Sequence, residues 1–272
     1  MRALPPGPRY AAWALGGSAW YTLSRGQRRA ALTNYAAVLA LPEDDPRVAR
    51  TARAAFRNYG KMLADFLFIA ALSPEELPGA LSVEGEEHAW RAVRAGTGGI
   101  LALPHMGSWD FAGGLGSMLG FPLSAVAEAF PGSLNDAVVE GRRRLGLNVI
   151  PVGRGAVRAI YRSLDAGGLV ALLCDLPPPG GGGVEVEFFG RRALVPAGPA
   201  AIALKRGVPL IPVFSRRDAA DHYHVHVDPP VPPPAGARGD ASAAFMQGVV
   251  RRFENFISAY PEQWYAFKRV LR

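Results

Sequence analysis

Residues 99–110 read GILALPHMGSWD, an apolar run that ends at a proline and gives way to small and polar residues. A short apolar run bounded by turn-forming residues is typical of a strand buried on both faces of a parallel sheet. His105 would then emerge at the carboxyl end of this strand, where open α/β sheets place their binding and catalytic residues. The stretch therefore predicts both a type of sheet and the edge that carries its chemistry.

The same rhythm continues on both sides of this stretch. From about residue 80, short apolar runs alternate with segments of helical spacing, such as SLNDAVVEGRRRLG (133–146) and AVRAIYRSLDAG (156–167). This alternation predicts crossover units, and so an α/β fold with a largely parallel central sheet flanked by helices. HYHVHV (222–227) adds an expected edge strand, and the proline-rich segment 228–240 leads to a last helix from about Ser242 to Tyr260.

Residues 8–72 have helical patterning throughout, with a helix start signal at Asp45. At 272 residues the chain is long enough to bury a large core. We therefore expect a single domain over 1–272, made of an N-terminal helical part (1–78), an α/β core (79–240) and a C-terminal helix (241–272).

The net charge indicates which kinds of molecule the chain could bind, and the cysteine content indicates its compartment. Thirty Lys and Arg against 23 Asp and Glu give a net charge of +7, which suits anionic lipid, phosphate or nucleic acid. No zinc-finger, basic-zipper or RNP motif is present, so nucleic acid is not expected. The single cysteine, Cys174, excludes an intramolecular disulfide and fits a reducing cytoplasm; it ends an apolar run, which predicts a buried position.

The N-terminal apolar run YAAWALGGSAWYTL (10–23) is shorter than the roughly 18 apolar residues of a spanning helix and lacks a signal-peptide cleavage pattern. Two interpretations stay open: a helix that lies in the membrane interface, or one that packs on its own domain. Its aromatic residues and the cations after it are Trp13, Trp20, Tyr21, Arg25, Arg28 and Arg29.

His105 has the surroundings of a catalytic base. Gly107 allows a tight turn, and Ser108 is a good N-cap for a following helix. Asp110 would lie in the first turn of that helix and could reach back to the imidazole, fixing its tautomer. A structural His–Asp pair would look the same, so both interpretations stay open. No G-x-S-x-G motif supplies a serine nucleophile, which favours direct attack by an acceptor hydroxyl.

Metal chemistry has one other candidate in the sequence. His222, His224 and His226 alternate and would face one side of a strand. They could bind zinc, but an exposed polar strand face is the favoured interpretation.

Several segments together resemble the bacterial acyltransferases that include the lauroyl/myristoyl lipid A enzymes and the phosphatidylinositol-mannoside acyltransferases, within the H-x4-D acyltransferase group. The resemblance covers most of the chain. The segments that carry it are RRAALTNY (28–35), HMGSWDFAG (105–113), AVAEAF (125–130), GRRRLGLNVIP (141–151), VEVEFFG (184–190), PAGPAAIALKRGVPLIPVF (196–214) and PEQWYAFKR (261–269).

The resemblance implies site residues. It makes His105 the general base and Asp110 its orienting partner, and it places Glu128 and Arg143 in the acceptor pocket. VEVEFFG is similar to the mannoside branch, which implies a catalytic role for Glu185. Several residues of these segments also have a purely structural interpretation. It is a solvated strand end for Glu128, a solvated helix end for residues 142–144, and core packing for Phe188 and Phe189.

The resemblance also implies an activity: transfer of a fatty acyl group from acyl-CoA or acyl-carrier protein to a glycolipid hydroxyl, by a peripheral enzyme on the cytoplasmic face of the cell membrane. No metal or redox cofactor is expected. A lysophospholipid or glycerol-phosphate acyltransferase and a catalytically silent lipid-binding protein are the alternatives. The loop CDLPPPGGGG (174–183) departs from the family pattern and leaves donor and acceptor specificity open. A dinucleotide-binding enzyme is disfavoured because G-x-G-x-x-G is missing after the first strand.

Overall fold

The computed structural model describes residues 6–69, 81–128, 133–181, 183–234 and 241–271. Two sheets occur in these residues, one of seven strands and one a two-stranded ribbon. The strands are β1 (Leu81–Glu84), β2 (Gly99–Leu103), β3 (Leu123–Ala127), β4 (Asn148–Pro151), β5 (Leu169–Leu173), β6 (Gly183–Phe188), β7 (Arg191–Pro196), β8 (Leu210–Arg217) and β9 (Tyr223–Val227).

The central sheet has the strand order β1-β9-β8-β2-β5-β3-β4, and its neighbours run parallel except for β8 with β9. The prediction of a largely parallel sheet is thus confirmed. The expectation that β9 is an edge strand is wrong, because β1 pairs alongside it and takes the edge. β6 and β7 form the separate antiparallel ribbon.

Helices cover both faces of the sheet. Ile100 and Ala102 of β2 belong to one apolar cluster, whereas Leu101 and Leu103 belong to the other, because neighbouring strand residues face opposite sides. β2 is therefore buried on both faces, as its composition predicts. The helices are α1 (Pro6–Leu23), α2 (Arg25–Leu39), α3 (Pro46–Ile69), α4 (Glu86–Arg94), α5 (Trp109–Met118), α6 (Ser133–Arg144), α7 (Ala156–Asp165), α8 (Gly198–Arg206) and α9 (Ser242–Ala259), with a short 3-10 turn at Pro261–Gln263.

α1 packs on α3 through glycine. A Cβ atom on Gly17 would lie 2.1 Å from the Phe56 carbonyl oxygen, and one on Gly60 would lie 2.2 Å from that of Trp13, so the two backbones touch. Tyr21 is buried and packs edge-on against Phe56. Of the two interpretations of this segment, the helix packed on its own domain holds for this inner face.

A buried polar cluster also joins α1 and α3 to the sheet. The hydroxyls of Tyr10 and Tyr223 each donate to Asp65, both at 2.6 Å, and the Arg217 guanidinium pairs with the same carboxylate. Arg217 also lies over both tyrosine rings. Because every charge in this cluster has a partner, its burial is tolerated.

The outer face of α1 is apolar. Leu15 is 66% exposed and Leu23 is 80% exposed, and the other exposed residues of this helix carry no charge. Among the described residues, none of the helices has both the length and the apolar character needed to cross a bilayer.

Candidate active site

The site forms where two neighbouring parallel strands end. β2 and β5 pair in register, with Leu103 opposite Leu173. His105 follows the end of β2, and Asp175 follows the end of β5, so the two side chains meet at one edge of the sheet. The His105 Nδ1 atom lies 2.6 Å from Oδ1 of Asp175. This contact leaves Nε2 as the ring nitrogen that faces outward, and 25% of the histidine side chain is exposed.

Asp175 is completely buried and has a partner on each oxygen. Its Oδ2 atom accepts a hydrogen bond of 2.7 Å from the Trp264 indole Nε1. The neighbouring Cys174 is also buried, as predicted. Burial, followed by the charge of Asp175, raises the pKa of the Cys174 thiol far above its usual range, so this thiol is not a nucleophile at neutral pH.

The segment after α9 makes hydrogen bonds with the backbone around His105. The Tyr265 N–H donates to the His105 carbonyl at 2.7 Å, and the Gly107 N–H donates to the Gln263 carbonyl at 3.1 Å. Asn34 of α2 fixes the residues that follow, because its amide bonds four backbone groups between 266 and 271. Hydrogen bonds thus join the C-terminal segment both to the turn that follows β2 and to helix α2.

The turn after His105 has the predicted chemistry. Gly107 has a φ of 60°, and a Cβ atom there would lie 2.1 Å from the Ser215 carbonyl oxygen, so only glycine fits. Ser108 is the N-cap of α5 and accepts from the Phe111 N–H at 3.4 Å. The helix therefore begins at the site and directs its first N–H groups toward this edge.

Asp110 does not make the expected contact with His105. Its Oδ1 atom pairs instead with Arg142 of α6, at 2.8 Å from Nε and 2.6 Å from the terminal nitrogen, and both side chains are buried. Burial raises the pKa of Asp110, and the Arg142 guanidinium opposes that effect. The prediction that Asp110 orients the imidazole is wrong in geometry, because Asp175 occupies that position and Asp110 is turned toward α6.

Arg143 lies on the surface of α6, and its role in acceptor binding stays a prediction. Its side chain is 77% exposed and its nearest acid is Glu140 at 3.9 Å, on the same helix. Arg144 is similarly exposed. The arginine that reaches the interior is Arg142, which stands four residues after the buried Val138 and so shares its face of α6.

Glu185 lies on the exposed face of β6. It stands on β6 with a side chain that is 63% exposed and an ion pair of 3.4 Å to Arg192. The opposite face of the same strand carries the buried Phe188, which contacts Trp264. The assignment of Glu185 to the reacting centre is therefore not supported, whereas the core interpretation of Phe188 is.

Glu128 stays close to the site. It is an exposed residue that directly follows β3, and β3 pairs in parallel with β5. Since neighbouring strands are about 4.8 Å apart, the end of β3 lies roughly 10 Å from the end of β2. Three adjacent strands thus end in His105, Asp175 and Glu128. A role for Glu128 in acceptor binding remains a prediction.

Two of the three alternating histidines have polar partners for their side chains. His224 contacts Asp218 and Ser82, each at 3.0 Å, and His226 contacts Asp228 at 3.0 Å. In the described ranges no three or more His, Cys, Asp or Glu side chains come together as metal ligands would. These contacts fit the interpretation as a polar strand face.

Two site residues were not predicted from the sequence, and only Asp175 has a signal there. Asp175 directly follows the apolar run GLVALLC, just as His105 follows GILALP, and parallel strands present such residues at a common edge. Trp264 stands in the C-terminal motif PEQWYAFKR (261–269). Nothing in the sequence says that its indole would reach Asp175.

Comparison with known proteins places these residues in a family context. The family model described as bacterial lipid A biosynthesis acyltransferase matches residues 1–272. A phosphatidylinositol mannoside acyltransferase from Mycolicibacterium smegmatis is 30% identical over 269 residues, which cover 97% of this chain and 86% of that protein. The protein of the same name from Mycobacterium tuberculosis CDC 1551 is 30% identical over 246 residues, covering 85% and 73%.

Proposed function

The chain belongs to the bacterial lipid A biosynthesis acyltransferase family, and from this premise we propose that it transfers a fatty acyl group from a thioester donor, acyl-CoA or acyl-carrier protein, to a hydroxyl of a glycolipid. The names of its mycobacterial relatives favour a phosphatidylinositol-mannoside-like acceptor, and the family description favours a lipid A-like one. The observation that carries the proposal is the 2.6 Å contact of His105 with Asp175 at the carboxyl edge of the sheet.

In this proposal His105 is the general base. Asp175 accepts a hydrogen bond from Nδ1–H and so keeps the imidazole proton on Nδ1, which leaves Nε2 a free lone pair with which to take the proton of the acceptor hydroxyl. The hydroxyl oxygen then attacks the thioester carbonyl carbon and forms a tetrahedral intermediate. As the intermediate collapses, the carbon–sulfur bond breaks, and the imidazolium returns its proton to the leaving thiolate. An O-acyl ester and a free thiol result.

The first turn of α5 is well placed to stabilise the oxyanion. Backbone N–H groups in the first turn of a helix lack partners within the helix, and they attract negative charge. α5 begins at Trp109, four residues after His105. We assign to this turn the electrostatic support that acyl transfer requires, and the proposal needs no metal or redox cofactor.

We further propose that the enzyme works as a peripheral protein on the cytoplasmic face of the membrane. The exposed leucines of α1 support this, together with the exposed Val152 and Val157, which alternate with Arg154 and Arg158 from the end of β4 into the first turn of α7. Apolar side chains next to arginines suit an anionic lipid surface. The net charge of +7 acts in the same direction.

The test is transfer by the purified protein from acyl-CoA or acyl-carrier protein to a panel of acceptors, with the His105→Gln variant as the control. Phosphatidylinositol mannosides and lipid A precursors represent glycolipids, and lysophosphatidic acid and glycerol 3-phosphate represent the rival substrates. Preferential acylation of a glycolipid is expected. Faster acylation of lysophosphatidic acid or glycerol 3-phosphate would overturn the acceptor assignment. Tight lipid binding without any transfer would instead identify a lipid-binding protein.

A further inference from the structure

Trp264 is the second partner of the buried carboxylate in the site. Its side chain is completely buried, and Nε1 donates to Asp175 Oδ2 at 2.7 Å. The other oxygen, Oδ1, is taken by His105 at 2.6 Å. Each oxygen of a carboxylate that cannot reach water therefore has one partner. An indole N–H only donates, so it favours an oxygen that accepts.

We propose that Trp264 is a positioning residue for acyl transfer: its indole N–H holds Asp175 as an oriented carboxylate and thereby fixes the tautomer of His105. The inference rests on the proposed function of His105 as the base. It adds a third member, from the segment after α9, to the pair formed by the two strand ends.

The physical argument concerns where the imidazole proton stays. With Asp175 ionised, the proton lies on Nδ1, and Nε2 can accept one from a substrate hydroxyl. Without the indole donor, one buried carboxylate oxygen has no partner, which penalises the charged form. A protonated carboxyl group would then donate to Nδ1 and leave the imidazole proton on Nε2. That tautomer cannot act as a base toward the acceptor.

Three neutral groups lie next to the pair, and the carboxylate of Glu262 acts on two of them, Tyr35 and Tyr265. Burial raises the pKa of the Cys174 thiol beside Asp175, and it also raises the pKa of Tyr35, which donates to the Trp264 carbonyl. Burial raises the pKa of Tyr265, next along the chain, as well. All three stay neutral between weakly acidic and weakly alkaline pH, so none of them accounts for a change in the acid limb of activity.

A purely structural role for Trp264 is the competing explanation, since its ring contacts Phe188 and Tyr35. Three variants separate the two roles. Trp264→Phe removes the N–H and keeps an aromatic ring. Phe188→Leu loosens the packing around the same indole and keeps the N–H. Trp90→Phe makes the same chemical change in the other apolar cluster, where Trp90 stacks on Phe121.

The first measurement is kcat and KM over a pH series. For Trp264→Phe we expect kcat to fall on the order of tenfold, short of the ~10⁴-fold known for removal of an orienting carboxylate in a serine-protease triad. KM should change little, and the acid limb of the profile should move to higher pH. Phe188→Leu and Trp90→Phe should keep the wild-type limb. A wild-type profile in Trp264→Phe, or the same displacement in Phe188→Leu, would overturn the proposal.

The second measurement uses the wild-type protein and does not depend on how a variant folds. In proton–nitrogen NMR spectra, the Trp264 indole proton should change its chemical shift over the same pH range as the imidazole signals of His105, which is also the range expected for the acid limb of activity, whereas the Trp90 indole proton should not. An indole resonance that ignores this transition contradicts the proposal. If the two indoles behave as expected but no acyl acceptor is found, the hydrogen-bonded triad stands and only the proposed reaction fails.

Discussion

His105 and Asp175 stand 70 residues apart in the chain, and their side chains meet at 2.6 Å. The contact arises because the strands that precede them are neighbours in the sheet and run in the same direction. Each strand is short and apolar, and each gives way to polar residues at its carboxyl end. The pairing of β2 with β5 is therefore what creates the site.

Replacing His105 by Gln should abolish transfer and leave the fold intact. The loss of a general base typically costs ~10²–10⁴ in rate. Thioester turnover in the presence of glycolipid is the assay, and circular dichroism checks the fold. A variant with wild-type turnover would remove His105 from the mechanism.

Asp175→Asn and Asp110→Asn should have opposite signatures. The amide at 175 keeps the shape of the site but is no longer a charged acceptor for the Nδ1–H of His105. We therefore expect kcat to fall by two orders of magnitude or more, since the same change in a serine-protease triad lowers kcat by ~10⁴. The amide at 110 weakens the pair with Arg142 and should mainly lower the melting temperature. Steady-state kinetics and calorimetry on both variants test this. If Asp110→Asn loses activity at unchanged stability, Asp110 acts on His105 after all, as the sequence predicted.

Arg142→Met and Arg143→Met form a matched pair on one helix. Removing Arg142 leaves the buried Asp110 without its cation, and breaking a buried ion pair typically costs about 3–5 kcal/mol. Arg143 is 77% exposed, so its replacement should change stability by less than ~0.5 kcal/mol. Urea unfolding gives both values. Equal losses would mean that the run of arginines acts only through its total charge.

Asp45→Ala should lower the melting temperature in a pH-dependent way. Asp45 accepts from the Arg47 side chain and backbone, which lowers its pKa from 3.8 to about 2. Because the pKa in the folded state lies below that in the unfolded state, the stabilisation is complete above the unfolded value and is lost as the pH falls through about 2. The difference between wild type and variant should shrink over this window in thermal scans. A constant difference would assign the effect to something other than this carboxylate.

Replacing both exposed leucines of α1, in Leu15→Asp/Leu23→Asp, should weaken sedimentation with anionic vesicles. Wild-type binding should also weaken with salt, since charges are screened over ~10 Å at 0.1 M. Leu119→Asp is the matched control, because Leu119 is an exposed leucine at the end of α5. Binding that survives both the α1 substitutions and high salt would place the contact elsewhere.

Local pattern was enough to predict much of this fold. The run 99–104 predicted a strand buried on both faces, and Gly107 and Ser108 predicted the turn and the cap that follow it. These features depend on neighbours within a few residues, so periodicity and turn chemistry suffice. β1 escaped because its four residues show no clear pattern, and with it the true edge of the sheet was missed.

Strand order limited the prediction of the site. Asp110 is close to His105 in sequence and was therefore assigned as the carboxylate that orients the imidazole. Asp175 becomes a neighbour of His105 only because β5 lies beside β2. Arg142 and Arg143 differ by one position, yet one side chain is buried and the other exposed, because one step around a helix turns a side chain from the interior to solvent. The periodicity that makes Val138 a buried residue of α6 contained that information.

The C-terminal segment has a consequence for when the enzyme acquires activity. Gln263, Trp264 and Tyr265 leave the ribosome after every strand of the sheet, yet they hold the backbone of His105 and the carboxylate of Asp175. A nascent chain that already contains both strand ends still lacks this frame. In the proposed mechanism, catalytic competence therefore has to wait until Gln263, Trp264 and Tyr265 have emerged, and a chain cut before Gln263 would carry the whole parallel sheet without the frame of the site.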